Sequence, residues 1–360
     1  MRLLTTFCVS LFALLCFNAS AQYSVSGKIV DSTTKEPLTG ASVFCQNTTL
    51  GTITNKQGEF SLSLKSGGYE LIISYTGYQT KQIRVNSSTE ATVLNVDMIK
   101  EDKSMGEVVI KSSNEVKDGW EKYGSFFIDN FIGTTPNAKA CVLQNPEVLK
   151  FYFLKKSNKL RVLATEPLQI NNKALGYNLR YQLDSFVYQY KTDISLYRGY
   201  CLFSEADTTE DVKQAWTKAR QKTYNGSKMH FMRSYFDSTL TEEGFVIGLL
   251  DEKDNMRFDA VKNPYDSSYY AFVDSTNEAE LDFPTKFSVT YSKTKPEPEY
   301  LKKFNLPKNV ASQISYIELL NAIGIKENGY YADQKDWINQ GYWSWKNLAD
   351  QLPYDYTPLQ

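Results

Sequence analysis

Apolar and polar residues alternate with a period of two through the first hundred residues, and each alternating run ends at turn-forming residues. The run Phe60–Leu64 is typical, and the turn sequence Asn55–Gly58 precedes it. Asn55 can start that turn through its side chain, and Gly58 can adopt a positive φ where the chain re-enters the sheet. The same alternation recurs at Val25 and Ile29, Val43 and Cys45, Leu71, Ile73 and Tyr75, Ile83 and Val85, and Leu94, Val96 and Met98. Short strands at this spacing predict a β-sandwich over residues 22–98.

Four ordered sequence pieces in this range resemble the carboxypeptidase-regulatory-like domain, a transthyretin-like sandwich of seven strands. The pieces are Gly27 to Asp31, Glu36 to Val43, Gly51 to Phe60 and Ser74 to Tyr78. In metallocarboxypeptidases this module is an appendage of the catalytic domain and holds no zinc. It also begins many secreted and outer-membrane proteins of Bacteroidetes-type bacteria. The resemblance therefore implies a scaffold in a cell envelope.

The N-terminus has the pattern of an export signal. Arg2 supplies a positive charge, Leu3–Phe17 is almost entirely apolar, and an Ala-x-Ala cleavage site follows. We therefore interpret residues 1–21 as a signal peptide, and we expect no transmembrane helix after its cleavage. A lipid anchor at Cys16 is the alternative, but Leu15 stands where such a signal has a small residue. The expected location is the periplasm, the outer membrane or the cell surface.

Three cysteines remain after the signal peptide, an odd number for a protein in a non-reducing compartment. They are Cys45, Cys141 and Cys201. Cys141 and Cys201 could form a disulfide, and three separate buried thiols are the alternative. The sequence has no C-x-x-C, so it supports neither a zinc ribbon nor a redox motif.

The charged stretch 99–116 is interpreted as a linker that carries one short strand at Val108–Ile110. Residues 117–360 are predicted to form a β-rich α+β domain with a few helices. The first helix is Trp120–Phe131. A later helix is capped by Thr208 or Thr209, with an apolar stripe at Val212, Ala215, Trp216 and Ala219, and Ser227 caps the next helix.

This second part also resembles a family region, one without a known activity that often follows the regulatory-like domain in Bacteroidetes-type envelope proteins. The resemblance is carried by Phe131–Gly133, Asn145-Pro146, Leu175–Tyr177, Tyr197–Tyr200, Tyr224–Ser227, His230-Phe231, Glu243–Phe245, Gly341–Ser344 and Leu352–Tyr354. It implies architecture and location only.

His230 is the single histidine of the chain, which argues against a zinc carboxypeptidase. Such a centre needs two histidines and a glutamate around one open position for water. No D-x-D-x-D-G calcium loop is present, and no carboxylate precedes Glu59 in the Asn55–Gly58 turn. We therefore predict no metal and no cofactor, with a calcium or magnesium site built from carboxylates alone as the alternative.

A serine hydrolase would have to use His230 as its base, with Ser227 and Asp237 nearby in sequence. Ser227 is better interpreted as a helix N-cap, since its oxygen would then accept backbone N–H groups. No G-x-S-x-G motif is present. We therefore expect His230 to be a packed, hydrogen-bonded core residue.

A glycosidase needs two carboxylates facing one cleft, and the sequence offers too many candidates to pair. They are Glu166, Asp184, Glu205, Glu242, Glu243, Asp333 and Asp336. The aromatic residues Trp337, Tyr342, Trp343 and Trp345 could stack on a sugar or peptide, with core packing as the alternative. Arg220, Lys222 and Lys228 are interpreted as a solvated basic face.

The net charge of −1 gives no basic footprint for nucleic acid. Intact fold signals without a catalytic constellation favour a non-catalytic binding or assembly module that meets an unidentified envelope protein, glycan or peptide. The alternative is an envelope glycan or peptide hydrolase that uses carboxylates only.

Overall fold

The computed structural model describes residues 22–86, 92–101, 114–251, 257–283, 286–332 and 334–359. The predicted signal peptide and the predicted strand at Val108–Ile110 lie outside these residues. The chain is mainly β, as the sequence predicts, and its buried apolar side chains form three hydrophobic cores.

The first core lies inside a sandwich of seven strands. The strands are β1 (Gln22–Asp31), β2 (Ser42–Cys45), β3 (Gly51–Ile53), β4 (Glu59–Lys65), β5 (Gly68–Ser74), β6 (Lys81–Asn86) and β7 (Thr92–Met98). One sheet has the order β4-β1-β7 and the other β3-β2-β5-β6. All pairs are antiparallel except β1 with β7, which run parallel. The alternating residues face inward, so the predicted β-sandwich is confirmed.

Two of the resemblance-carrying pieces meet at the carboxylate of Asp31, which is almost completely buried. Its Oδ1 accepts the backbone N–H groups of Thr33 and Thr34 at 2.7 and 2.8 Å, and its Oδ2 accepts the Tyr78 hydroxyl at 2.7 Å. These hydrogen bonds, that of Thr34 first, hold the pKa of Asp31 far below its ordinary value. The motif aspartate therefore fixes the end of β1 to the loop that follows β5.

The turn before β4 has the geometry that its sequence predicts. The Asn55 side-chain oxygen accepts the N–H groups of Gln57 and Glu59, both at 2.9 Å. Gly58 has φ +75°, and a Cβ there would lie 2.5 Å from the carbonyl oxygen of Ile29. Both the backbone conformation and the close approach therefore require glycine.

The second core lies between a six-stranded antiparallel sheet and the helix α1 (Gly119–Phe131), close to the predicted helix. A short helix α2 (Pro136–Lys139) follows. The strands are β8 (Cys141–Leu143), β9 (Leu149–Leu154), β10 (Lys159–Ala164), β11 (Leu168–Asn172), β12 (Tyr177–Gln189) and β13 (Ile194–Glu205). Their order is β8-β11-β12-β10-β9, with β13 also paired to β12. Phe127 and Phe131 of α1 are fully buried against this sheet.

Two helices, α3 (Glu210–Tyr224) and α4 (Lys228–Phe236), connect this sheet to the third core. That core lies beneath a five-stranded sheet of order β15-β14-β18-β19-β21 and a three-stranded sheet of order β16-β17-β20. The strands are β14 (Phe245–Leu250), β15 (Phe258–Ala260), β16 (Tyr270–Val273), β17 (Glu278–Leu281), β18 (Phe287–Tyr291), β19 (Gln313–Leu319), β20 (Ile323–Ile325) and β21 (Trp337–Gly341). The short helices are α5 (Pro298–Lys303) and α6 (Tyr342–Trp345), and 3₁₀ turns lie at Pro146–Val148, Gln334–Asp336 and Leu348–Asp350. The range predicted as one domain, 117–360, thus holds two cores.

One local expectation is met only in part and another is wrong. In the predicted apolar stripe of α3, Ala219 packs against the second core, whereas Val212 is 39% exposed; Tyr224 is the buried residue of that helix. The disulfide hypothesis fails, since Cys45, Cys141 and Cys201 are all free thiols. Cys201 lies in β13, fully buried, whereas the Cys141 thiol contacts the Asn137 carbonyl at 3.5 Å. Burial raises the pKa of the Cys45 and Cys141 thiols to about 12.

Candidate functional site

The loop after β2 joins the first sandwich to the rest of the chain. Asn47 donates its backbone N–H to the carbonyl of Cys201 at 2.7 Å, and Phe203 donates to the carbonyl of Thr48 at 2.9 Å. On its other side, Tyr354 in the C-terminal segment donates to the carbonyl of Asn47 at 2.8 Å. The loop is therefore held between β13 and the C-terminal segment.

A pocket of about 270 Å³ opens where these three parts meet, and we call it the junction pocket. It is lined by Thr49, Tyr177, Glu205, Thr217, Arg220, Pro353, Asp355, Tyr356 and Thr357. The first sandwich, the β12–β13 pair, helix α3 and the C-terminal segment each contribute to it. Its lining is mainly polar, as befits a site for a small polar group.

Arg220 is the central cation of the junction pocket. Its guanidinium lies 3.9 Å from the centroid of the Tyr177 ring, and it donates to Glu205 Oε1 at 2.6 Å. It also donates to the carbonyls of Leu175 and Gly176, at 2.8 and 3.2 Å. Four contacts fix the orientation of this half-buried side chain, while the Glu205 side chain remains 63% exposed. Within this ion pair, the Glu205 carboxylate is therefore the group that a ligand can reach.

Asp355 supplies a second carboxylate and anchors the C-terminal segment. Its Oδ1 accepts the backbone N–H of Thr49 at 2.9 Å, and its Oδ2 accepts the Thr49 hydroxyl in a short hydrogen bond. The Tyr356 hydroxyl lies 3.3 Å from Gln221 Oε1 on α3. The pocket thus presents two acids, one cation and several hydroxyls, which suits recognition of a polar ligand by hydrogen bonds. Across the described ranges, no three His, Cys, Asp or Glu side chains are placed to share a metal ion.

The four aromatic residues considered as a stacking platform lie in the interior. Trp337, Tyr342, Trp343 and Trp345 are 3–7% exposed and belong to the third core. The Trp343 indole N–H donates to the Gly226 carbonyl at 2.8 Å, so even its polar atom is engaged inside. These four side chains therefore pack in the core and offer no exposed face on which a ligand could stack.

The predicted basic face is wrong for two of its three residues. Arg220 lies in the junction pocket, and Lys228 donates to the Tyr331 hydroxyl at 2.9 Å. Burial lowers the pKa of Lys228. Only Lys222 is exposed to solvent.

His230 is a packed residue, as the sequence predicts. Ser227 accepts the His230 backbone N–H at 3.1 Å and is the N-cap of α4. The His230 Nδ1 accepts the Gly226 N–H at 3.1 Å, and its Nε2 lies 3.2 Å from Glu243 Oε2. Burial lowers the pKa of His230 to about 4, and the nearby Glu243 opposes this shift. The imidazole is therefore neutral and fully engaged.

The carboxylates considered for glycoside hydrolysis are scattered. Only Glu205 lines the junction pocket, and Asp333 lies outside the described residues. Asp336 is buried and accepts the Asn321 amide at 3.0 Å. Burial raises the pKa of Asp184, opposed by a hydrogen bond from Tyr200. Sequence reasoning missed Asp355, because nothing local distinguishes it from other acids and its partner Thr49 is far away in the chain.

Comparison with known proteins identifies the first sandwich. The sequence model of the CarboxypepD_reg-like domain matches residues 25–110. The first domain is a CarboxypepD_reg-like domain. The match extends into the stretch interpreted as a linker, so the family's own boundary lies beyond the last strand of the sandwich.

Two curated relatives each match about 100 residues of this chain. The TonB-dependent receptor SusC of Bacteroides thetaiotaomicron is 37% identical over 103 residues, which are 29% of this chain and 10% of the receptor. The TonB-dependent receptor P39 of Formosa agariphila is 32% identical over 100 residues, 28% of this chain and 9% of the receptor. The chain therefore spans about a tenth of the length of these relatives.

A solved type II cohesin–X-dockerin complex from Acetivibrio cellulolyticus has 27% identity, with a TM-score of 0.20. The match covers 23% of this chain and 62% of that one. No helix in the described part of the chain is long and apolar enough to cross a membrane.

Proposed function

We propose that this protein is an exported envelope protein that binds or assembles with another envelope component, without catalysing a reaction. The observation that carries the proposal is the docked CarboxypepD_reg-like domain. Its curated relatives are TonB-dependent receptors, and here it is held against two further cores. Such a domain is suited to presenting a composite surface.

Several contacts hold the CarboxypepD_reg-like domain in place besides the loop after β2. The Asn328 side chain donates to the Gly68 carbonyl at 3.0 Å and accepts the Gly68 N–H at 3.2 Å. The Gln182 amide donates to the Thr80 hydroxyl at 3.0 Å. Because these contacts come from both later cores, the domain has a defined orientation, and the junction pocket is preorganised.

A capture experiment tests this proposal. The chain starting at Gln22 is cross-linked in native envelope, recovered and analysed by mass spectrometry. We compare it with Thr217→Trp, which fills the junction pocket, and with Lys218→Trp, an exposed position on the same helix. We expect wild type and Lys218→Trp to recover the same component, and Thr217→Trp to recover at least about ten-fold less.

Equal recovery by all three proteins would show that the junction pocket takes no part in binding. Recovery of no component, together with turnover of a glycan or peptide library, would overturn the non-catalytic role.

One observation favours the hydrolase alternative: Glu205 and Asp355 line the same pocket. If they act as acid and base, Glu205→Gln and Asp355→Asn should each abolish turnover of such a library. Each variant must still unfold in a cooperative transition above the assay temperature, because Asp355 also binds Thr49 and Glu205 also binds Arg220. Turnover that survives both substitutions would remove this alternative.

A further inference from the structure

The outer face of the β9–β10–β12–β13 sheet carries a partly exposed apolar and basic surface at its hairpin end. Side chains on the opposite face contact α1, as the 4.6 Å separation of the Phe126 and Tyr188 ring centroids shows. Two rows of side chains cross the outer face, and each row takes one residue from each of the four strands. The first row is Leu154, Lys159, Gln189 and Ile194, and the second is Tyr152, Arg161, Val187 and Leu196. Neither row contains a carboxylate.

Two apolar members of these rows project into solvent, whereas Leu154 and Val187 are partly buried and Arg161 Nε is buried. Leu196 is 68% exposed and Ile194 is 49% exposed, although both lie in a regular strand. The CarboxypepD_reg-like domain reaches β12 and β13 further along, at Gln182 and Tyr200. These two contacts of the docked domain thus lie away from the hairpin end.

Lysines surround this apolar centre. Lys155 and Lys156 lie in the exposed turn after β9, and Lys191 lies in the exposed turn after β12. The two turns adjoin, because Tyr190 donates its N–H to the Asn158 carbonyl at 3.3 Å. Among the residues that the structure describes, these three lysines and Lys159 have no carboxylate within 4.0 Å.

Two acidic residues lie near this surface, and in the described part of the chain neither forms an ion pair with these four lysines. Asp193 accepts the Tyr188 hydroxyl in a short hydrogen bond. Glu115, which bridges to Tyr152 through its backbone, pairs with Lys150 at 3.9 Å. The hairpin end is thus locally cationic on a chain whose net charge is only −1.

We propose that this surface, defined by the two rows and by Lys155, Lys156 and Lys191, docks on an anionic lipid bilayer. Each lysine near an anionic headgroup layer contributes about 1 kcal/mol, and exposed aliphatic side chains gain by entering the headgroup–acyl boundary. An acidic polymer would satisfy the lysines but would leave Ile194 and Leu196 in water. The inference goes beyond the proposed function, because it concerns a different face and a different partner.

Vesicle co-sedimentation tests the proposal with the chain starting at Gln22, which contains every described residue. One set of vesicles is phosphatidylcholine alone, and in the other about a third of the lipid is phosphatidylglycerol. We expect binding to the anionic vesicles that weakens as salt is added. The triple variant Lys155→Glu/Lys156→Glu/Lys191→Glu should lower the partition coefficient about a hundred-fold or more.

A matched control has the same net charge. Lys28→Glu/Lys56→Glu/Lys65→Glu changes three exposed lysines of the CarboxypepD_reg-like domain and should bind nearly as wild type does. Ile194→Ser/Leu196→Ser keeps every charge and should lose about ten-fold. Equal binding by the two triple variants, or no binding of wild type to anionic vesicles, would overturn the proposal. Retention on a polyanion column without vesicle binding would assign the surface to an acidic polymer instead.

Discussion

His230 contributes to stability in a pH-dependent way because it is neutral and engaged in the folded protein. Its folded pKa of about 4 lies below the unfolded value of 6.5. As the pH falls through this window, the unfolded state takes up the proton first, so the free energy of unfolding falls.

We therefore expect wild type to lose about 3 kcal/mol more than His230→Gln between pH 6.5 and pH 4. Urea denaturation at a series of pH values measures this. Because the remaining titratable groups are common to both proteins, the difference reports the imidazole together with its contact to Glu243. Parallel stability curves would mean that His230 titrates normally in the folded state.

Asp31 stabilises the fold in its charged form, whereas His230 does so in its neutral form. The hydrogen bonds from Thr34, Tyr78 and Thr33 lower the pKa of Asp31 in the folded protein. Its contribution is complete above the unfolded pKa of 3.8 and is lost as the pH falls below that value. Asp31→Asn should lower the melting temperature of the first domain at neutral pH and much less in acid.

Asp97→Asn is the control for Asp31, because its ion pair with Lys35 is more than half exposed on both sides. We expect little change from it. Calorimetry at neutral and acidic pH distinguishes the two variants, and equal losses in both would contradict the role given to Asp31.

At the scale of elements, helices α3 and α4 begin differently. The Ser227 side chain caps α4 by accepting the His230 N–H, whereas the Thr209 side chain makes no capping hydrogen bond at the start of α3. Ser227→Ala should therefore cost about 1 kcal/mol, and Thr209→Ala less than about 0.5 kcal/mol. Chemical denaturation of both variants measures the two losses in the free energy of unfolding. Similar losses in the two variants would contradict the capping role of Ser227.

The first domain was predictable from sequence because period-two alternation and turn residues act locally. Asn55 and Gly58 determine their turn within a few residues, and the strand Phe60–Leu64 follows from its own pattern. The α3 stripe was predicted only in part for the complementary reason: Val212 and Ala219 share the helical spacing, but distant strands determine that Ala219 packs against a core and Val212 does not. Local pattern defines an element, whereas tertiary contacts decide which face is buried.

At the scale of the molecule, Arg233 links the parts that hold the first domain. Its guanidinium donates to the carbonyls of Asn328, Tyr354 and Tyr356, at 3.0–3.1 Å. Asn328 binds Gly68, and Tyr354 binds Asn47, so one side chain in α4 supports two docking points.

Arg233→Met should cost about 3 kcal/mol or more by leaving these carbonyls unpaired, and should uncouple the first domain. Differential scanning calorimetry would then show its transition separating from that of the later cores. Arg257→Met, which removes an exposed pair with Asp259, is the control and should leave one profile. An unchanged profile for Arg233→Met would show that the docking does not depend on this residue.

The junction pocket was beyond sequence prediction for a physical reason. Thr49, Tyr177, Arg220 and Asp355 come from four separate parts of the chain, and each has an ordinary local sequence. These residues come together only because of how the three cores pack. The sequence pattern of residues 117–360 does not show that this range contains two of the cores. By contrast, the N-cap role of Ser227 depends on neighbours in sequence and was predicted from them, whereas His230 is buried by Phe245 and Tyr291 from distant strands.

The three unpaired cysteines give the protein internal reporters of opening. The Cys45 side chain is buried in the first core, and that of Cys201 is buried in the second core, within the strand that the first domain touches. A thiol-reactive dye can reach either sulfur only when the surrounding core opens. The two labelling rates therefore measure the opening of the first core and of the second core separately. We expect Arg233→Met to increase the labelling rate of Cys45 and to leave the labelling rate of Cys201 unchanged.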